Sequence, residues 1–385
     1  MLKIGLLLAI AAIYGLNLLT MRVAPPDDDG GSERPSGKTV AVSTEAFFHE
    51  QFVNPASEVV PRVHAPTAII NAEGELHGYW YGGASEGATD VAIYGARFDP
   101  EANVWRDHRQ IISPASASDQ TRYWVRKVGN PVAFAHPDGR VWLFYINVTI
   151  GGWALSAINL ATSTDGGRSF SGDKRLVTSP FFNRSTLVKT PAFELANGFI
   201  GLPVHHQMMA KHAELLTLDS AGNVIDKRRL PAELPALQPA MVSLPGGTLL
   251  AFMRSDGGKI LRSSSENQGA SWSPAVQVDV PNPDSAVAVV ATPTGLLLAF
   301  NNDPKDRDVL SLAHSHDGGN SWREFHVLEN QPNLHEHDHS NEFSYPWFVK
   351  DPNGSYHLFY TWQRTSIKHV RFNDVWLVEA LRGDG

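Results

Sequence analysis

The sequence predicts an all-β chain folded as a six-bladed β-propeller, and two interleaved phrases carry that prediction. The first is a glycine-centred turn followed by an apolar run that often ends in an aromatic. It reads NAEGELHGYWY at Gly74, HPDGRVWLFY at Gly139, LANGFIGLPV at Gly198, LPGGTLLAF at Gly247, TPTGLLLAF at Gly295 and DPNGSYHLFY at Gly354. Successive copies stand 65, 59, 49, 48 and 59 residues apart, and self-similarity at such a period marks a repeat architecture. Each copy has the form of a β-hairpin, with glycine at the turn position that needs φ > 0 and an apolar strand after it. A four-stranded unit repeated radially is a propeller blade, so six copies predict six blades. The second phrase, S-x-D-x-G-x-S-aromatic, occurs at Ser163–Phe170 and Ser315–Trp322, and with Asn for Asp at Ser265–Trp272. Weaker versions lie around Asp99 to Trp105 and Asp219 to Val224. The Asp or Asn side chain is expected to cap backbone N–H groups of a tight turn, with the aromatic tucked under the blade.

Taken from the N-terminus, the chain starts Met1-Leu-Lys3 and then runs uncharged from Ile4 to Met21, 18 residues, before Arg22. That length is at the threshold for a membrane span and long for the apolar part of a signal peptide, and no small-residue cleavage site follows. Residues 1–22 are therefore expected to be a signal anchor, with a cleaved signal peptide as the alternative. The chain is expected to be exported, periplasmic or at the cell surface, and monomeric. Residues 23–38 (with PPDDDGGSERPSGK) form an expected flexible tether, and residues 39–385 the propeller. The chain has no cysteine, so its stability rests on its core, which 18 Phe, 10 Trp and 42% apolar residues allow. A net charge of −8 with no basic stripe argues against nucleic acid as a partner.

In a propeller the innermost strand of each blade runs along the central axis and starts on the face where ligands bind. If each glycine turn ends that strand, the strand starts fall at His64, Asn130, Thr190 beside Lys189, Gln238, Ser285 beside Asp284, and Tyr345. Five of the six pair a polar residue with a proline within two positions, which predicts a ring of polar groups around one pocket; strand-start turns satisfying themselves are the alternative. The second strand returns to the same face and adds Gly82 to Asp90, Asn147, His205-His206, Arg254, Asn301-Asn302 and Arg364, with Arg307 in the following loop. An acidic chain that aims Arg254, Arg307, Arg364 and Lys189 at one mouth is suited to an anion, because guanidinium groups grip carboxylates bidentately.

The same map supplies candidates for acid–base work. Glu86 and Asp90 lie in a glycine-bearing loop over the mouth and are candidate acids for a leaving oxygen. Tyr345 is a phenol at the axis and a candidate nucleophile or base, with Glu342 a candidate acceptor of its proton. The run His335-Glu-His-Asp-His339 would place three imidazoles on one face if extended. It sits in a polar inter-blade loop without an identifiable supporting partner, and no metal or cofactor is expected. Asn147-Val-Thr and Asn183-Arg-Ser match a glycosylation pattern too common to carry weight.

These residues resemble the sialidase-like Asp-box (BNR-repeat) proteins, and most closely a branch of them from bacteria and plants. The phrases that carry the resemblance are HAPT, GGASEGATDVAIY, GNPVAF, LVKTPAF, PNPDSA, FNNDP…RDVLSLAHSHDGGNSW and EFSYPWF…FYTWQRTSIKHV, over about residues 60 to 380. The resemblance implies a propeller in which three arginines hold a substrate carboxylate, a tyrosine paired to a glutamate attacks, and a loop aspartate serves as acid and base. Arg254 and Arg307 fall at the second and third arginines, Tyr345 at the tyrosine, and Glu86 near the acid/base position. The chain departs from the pattern twice, with His64 at the first arginine and Gln238 at the glutamate. The expected function is an exo-glycosidase acting on a sialic, ulosonic or uronic acid glycoside. The alternatives are a non-catalytic cell-surface glycan-binding propeller, or a uronate polysaccharide lyase in which His64 or Tyr345 removes the C5 proton. In each case the expected partner is an acidic glycan or polysaccharide.

Overall fold

The computed structural model describes residues 45–383 except 56, 153–154, 180–182, 184, 209 and 332–341. The expected anchor, the tether and the run His335–His339 lie outside the described residues. Within the unit Thr39–Gly385 the strands form six antiparallel sheets arranged as a propeller. Blade 1 is Arg62–Ile70, Leu76–Gly83, Ala92–Asp99 and Val104–Ile112; blade 2 is Lys127–Ala135, Val141–Val148, Ala157–Ser163 and Ser171–Arg175. Blade 3 is Thr186–Val188 with Phe193–Glu194, then Ile200–His206, His212–Leu218 and Val224–Arg229. Blade 4 is Leu237–Ser243, Leu249–Arg254, Lys259–Ser265 and Val276–Pro281; blade 5 is Ala288–Thr292, Gly295–Asn301, Val309–Ser315 and Arg323–Asn330. Blade 6 is Phe343–Lys350, Ser355–Trp362 and Ser366–Asn373, and its fourth strand is Phe48–Phe52 from the other end of the chain.

Each of the six glycine turns joins the first strand of its blade to the second, as the repeat predicts. The ring is closed by pairing Phe48–Phe52 antiparallel to Ser366–Asn373, with Phe48 opposite Phe372. The strand ends at Asn373 because that residue caps the helix Asp374–Arg382, its side chain accepting from the Trp376 N–H. The same amide donates to the Glu45 carbonyl at 2.7 Å, so one residue stops the last strand and holds the incoming first one.

The polar–proline starts of the inner strands are β-bulges. The ladder register shifts between His64 and Thr67, Gly129 and Val132, Leu237 and Ala240, and Ser344 and Trp347. Inside these shifts Ala65, Asn130, Gln238 and Tyr345 take left-handed φ of 51°, 44°, 50° and 55°. Each is followed by a proline, which has no N–H to lose from the ladder. In blade 5 the left-handed residue is Asp284, at 51°. The residues in the common structural phase are thus Ala65, Asn130, Gln238, Asp284 and Tyr345, with His64 one position before its bulge. In blade 3 Thr190-Pro191 breaks the inner strand in two.

Blades are stitched near the axis by side-chain to backbone hydrogen bonds. Trp347 Nε1 donates to the Ala68 carbonyl at 2.9 Å, the Ala133 N–H to Thr67 Oγ1 at 2.9 Å, and the Thr190 hydroxyl to the Pro239 carbonyl at 2.7 Å. The second phrase forms the turn between third and fourth strands, with Asp165 Oδ1 accepting from Arg168 and Ser169, and Asp317 Oδ1 from Asn320 and Ser321. Its aromatic packs across onto the preceding blade rather than under its own: Phe170 on Tyr79 and Trp322 on Phe252, edge to face at 5.6 and 5.4 Å. Between the blades lies the apolar core, from Trp80, Trp142 and Phe144 on one side of the ring to Phe252, Phe300 and Tyr360 on the other.

Candidate functional site

The loops and bulges that start the inner strands and end the second strands bring together most of the residues expected at the mouth. Arg254 ends the second strand of blade 4. Its Nε donates to Asp284 Oδ1 at 2.7 Å and its Nη1 to Gln238 Oε1 at 3.1 Å, and the Tyr345 phenol lies against it. Arg307, in the loop leaving blade 5, donates to Glu342 Oε2 at 2.9 Å and to the Asp284 carbonyl at 2.8 Å. Arg364, leaving blade 6 with φ 54°, pairs with Glu86 and reaches Glu342 Oε1 at 3.2 Å. An arginine at the exit of one blade therefore binds an acid at the entry of the next, twice in succession. At blade 1 the chain offers His64 at the entry instead, and Arg364 takes a carboxylate from the blade 1 exit loop.

Glu342 is the hub of this network. Its Oε1 also accepts the Ser344 hydroxyl at 2.6 Å. Burial alone would raise its carboxyl, but His64, Arg307 and Arg364, with the Ser344 bond, hold it down to about 2. Glu342 is a fixed anion at every ordinary pH. His64 is buried, and burial, partly offset by Glu342, lowers its imidazole to about 4, so it is neutral at pH 7. Its Nε2 lies 3.4 Å from Glu342 Oε1 without the alignment of a hydrogen bond, and its ring meets Tyr345 edge-on at 4.6 Å and Tyr81 at 5.6 Å.

Glu86 stands on the loop after Gly82-Gly83, opposite Arg364, with Oε1 accepting from the Tyr81 phenol at 3.4 Å. Burial would raise its carboxyl, yet His64 and Arg364 keep it below the ordinary glutamate value. Asp90 accepts the Ala84 N–H at 2.8 Å and so closes the same loop on itself. Lys127 from blade 2 ties the loop's far side through the Gly87 carbonyl at 3.2 Å. A cavity of about 430 Å³ opens beneath the loop, lined by Arg62, His64, Tyr81, Ser85, Glu86 and Arg364.

Lys189 lies behind Tyr345. It is buried, donates to the Pro66 carbonyl at 3.1 Å, and stands 5.3 Å from the Tyr345 ring and 5.0 Å from that of Trp347. Burial pushes its ammonium down to about 7. Asn130 holds the corresponding bulge of blade 2 and is half-buried. His205, in the second ring but not among the expected ligand contacts, is buried beside Arg254. Neither of its ring nitrogens has a hydrogen-bond partner among the described residues, and burial, with Arg254, lowers it to about 3. Asp284 and Tyr81 also belong to the site. Asp284 was legible as the polar residue of PNPDSA at the repeat phase, whereas nothing in the sequence set Tyr81 apart from other strand aromatics. Among the described residues no group of three or more His, Asp or Glu is placed to hold a metal ion.

The fold and site define a six-bladed propeller in which three arginines and three carboxylates form one network beside a cavity. The chain belongs to the BNR repeat-like domain family, which it matches over residues 74–358. Among solved structures it is similar to a Hadza microbial sialidase, with 17% identity, a TM-score of 0.68, and 84% of this chain and 68% of that one covered. It is similar also to a protein of unknown function from Dyadobacter fermentans, with 14% identity, a TM-score of 0.66, and 84% and 97% covered. The intramolecular trans-sialidase from Ruminococcus gnavus gives 12% identity, a TM-score of 0.65, and 85% and 97% covered. No curated protein sequence matches the chain.

Proposed function

We propose that the protein is an exo-acting glycosidase for an acidic sugar, in which Arg254, Arg307 and Arg364 bind the sugar carboxylate. The observation that carries this reading is the joining of three guanidinium groups from three blades, through Asp284 and Glu342, into one network beside Tyr345, with Arg364 opening on the cavity. Its likeness to sialidases, whose arginines the resemblance aligns with Arg254 and Arg307, supports the same ligand class. Arg364 supplies the third guanidinium from the blade 6 side, next to His64. Tyr345 faces the anomeric carbon, held by the bulge at Pro346 and by the Lys189 ammonium behind its ring. Glu342 acts as the counter-ion that orients Arg307 and Arg364. Glu86 is the acid for the leaving oxygen. The apolar segment before residue 22 supports export, with the activity outside the cytoplasmic membrane.

Gln238 favours a second reading, binding without turnover. It stands where a glutamate would take the proton of Tyr345, and its carboxamide accepts from Arg254 instead. One experiment separates the readings: the full chain is incubated with sialosides, Kdo-type glycosides and uronate polysaccharides, and products are read by mass spectrometry. A released acidic sugar heavier by one water is the expected result. An unsaturated product would replace hydrolysis with β-elimination, in which the neutral His64 imidazole serves as base. Retained binding with no product on any substrate would leave the binding module.

A further inference from the structure

Each guanidinium of the cluster is already paired with a carboxylate before any ligand arrives. Three guanidinium groups, Arg254, Arg307 and Arg364, face three carboxylates, Asp284, Glu342 and Glu86. A fourth carboxylate entering this cluster meets cations whose charge is already answered, and in a half-buried site that costs more than the new contacts return. One resident anion must therefore leave. Glu342 cannot, because its side chain is 7% exposed and held by two arginines and Ser344. Asp284 is held on a left-handed backbone and by Arg254. Glu86 is different in kind. Its side chain is 38% exposed, against 32% for Asp284, but it alone of the three lines the 430 Å³ cavity, and its ion-pair partner Arg364 lines the same cavity. The Nε of Arg364 is buried there with no partner of its own.

We infer that Glu86 occupies, in the resting protein, the seat on Arg364 that the ligand carboxylate takes, and that an acidic sugar binds by displacing it. This deepens the proposed function and rests on it for the identity of the ligand. The exchange makes the acid conditional on the substrate. Paired with Arg364, Glu86 stays a carboxylate and has no proton to give. Released from Arg364, with Tyr81 beside it and His64 at the cavity wall, it takes a proton from solvent. It passes that proton to the glycosidic oxygen as the C–O bond breaks and its electron pair moves to the leaving group. The resulting carboxylate then accepts a proton from the water whose oxygen bonds to the anomeric carbon, and the net reaction adds one water. A neutral sugar leaves Glu86 on Arg364 and meets no acid, so the pair selects for carboxylate-bearing substrates at the chemical step as well as in binding.

The test needs no knowledge of the sugar, because any small carboxylate competes for the seat. Acetate is titrated into the full chain against chloride at matched ionic strength. The Glu86 carboxyl carbon is followed by 13C NMR and the Arg364 Nε–H by 15N NMR, each assigned by the variants E86Q and R364K. Acetate is expected to move both signals together and to raise the Glu86 titration midpoint toward the ordinary glutamate value. E86Q is expected to bind acetate about tenfold more tightly, the gain when a competitor filling the seat about nine-tenths of the time is removed. An Arg364 signal that moves while Glu86 does not would overturn the exchange, as would equal acetate affinity in E86Q and the wild type. The substrate panel fails or succeeds independently of either result, so loss of the glycosidase reading and loss of the exchange are told apart.

Discussion

A guanidinium taken out of water needs a carboxylate in good geometry or it destabilises the fold around it. Arg254 meets that need with two different acceptors, Asp284 through Nε and Gln238 through Nη1. A lysine keeps the charge but loses the planar fork that answers two acceptors and still presents a face to a ligand. Arg254→Lys is expected to weaken binding of the acidic sugar by about tenfold or more, read by calorimetry, with the urea midpoint nearly unchanged. Unchanged affinity would remove Arg254 from the carboxylate clamp. At this scale the sequence was informative about which residues reach the mouth and silent about their pairing. The repeat phase alone puts Arg254, Arg307, Arg364, Gln238 and Tyr345 on one face. Each arginine also has a carboxylate partner from another blade, 30 residues away for Asp284, 35 for Glu342 and 278 for Glu86, and sequence spacing cannot report contacts that only blade packing and ring closure create.

At the scale of the element, the turn between third and fourth strands was legible as a turn but not as a rivet. Its Asp and Gly positions follow from local hydrogen bonding, which a short window of sequence contains. Its contact with the preceding blade depends on blade-to-blade stagger, which no window contains. The second glycine of the motif records that contact. Gly319 has φ 79°, and a Cβ there would stand 2.3 Å from the Phe252 ring, whereas at Gly318, with φ 72°, it would meet nothing closer than 3.9 Å. Both substitutions by alanine carry the cost of left-handed backbone, about 1 kcal/mol. Gly319→Ala must also displace a buried aromatic, a further cost of about 1–3 kcal/mol. Urea unfolding is expected to place Gly318→Ala about 1 kcal/mol below the wild type and Gly319→Ala about 3 kcal/mol below it. Equal losses would mean that the interblade contact contributes nothing. The broken inner strand of blade 3 was hidden for a related reason: KTPAF matches the other strand starts in sequence, but there the buried Lys189 and Pro191 interrupt the ladder instead of bulging it.

For the molecule as a whole, ring closure and the axis depend on imidazoles kept neutral in the interior. Where blade 6 meets blade 1, Trp105 Nε1 donates to His369 Nδ1 at 3.3 Å, which leaves His369 Nε2 to donate to His357 Nδ1 at 3.0 Å, with His357 Nε2 3.7 Å from Asp351. Each tautomer in this chain is set by the one before it. Burial lowers His357 and His369 below the ordinary value, as it lowers His64 to about 4 and His205 to about 3. A folded-state value below the unfolded value of 6.5 means that the unfolded chain binds the proton first as pH falls. The stability these residues contribute is complete above pH 6.5 and is lost as the pH drops from 6.5 toward 4, with Glu342 adding its own loss only below 4.5. His205 isolates one such proton, since neither nitrogen has a partner among the described residues and leucine replaces it without orphaning a neighbour. Each proton taken up on unfolding sets a slope of about 1.4 kcal/mol per pH unit. Burial lowers Lys189 to about 7 as well, so urea midpoints are expected to fall from pH 8 to 7, where the unfolded chain alone fully holds that proton, and to fall again from pH 6.5 to 4.5. In His205→Leu the second fall is expected to be shallower by about 1.4 kcal/mol per pH unit. A variant with the wild-type slope would mean that His205 already carries its proton in the folded ring, next to Arg254, and that the mouth holds one positive charge more than its three arginines and Lys189 supply.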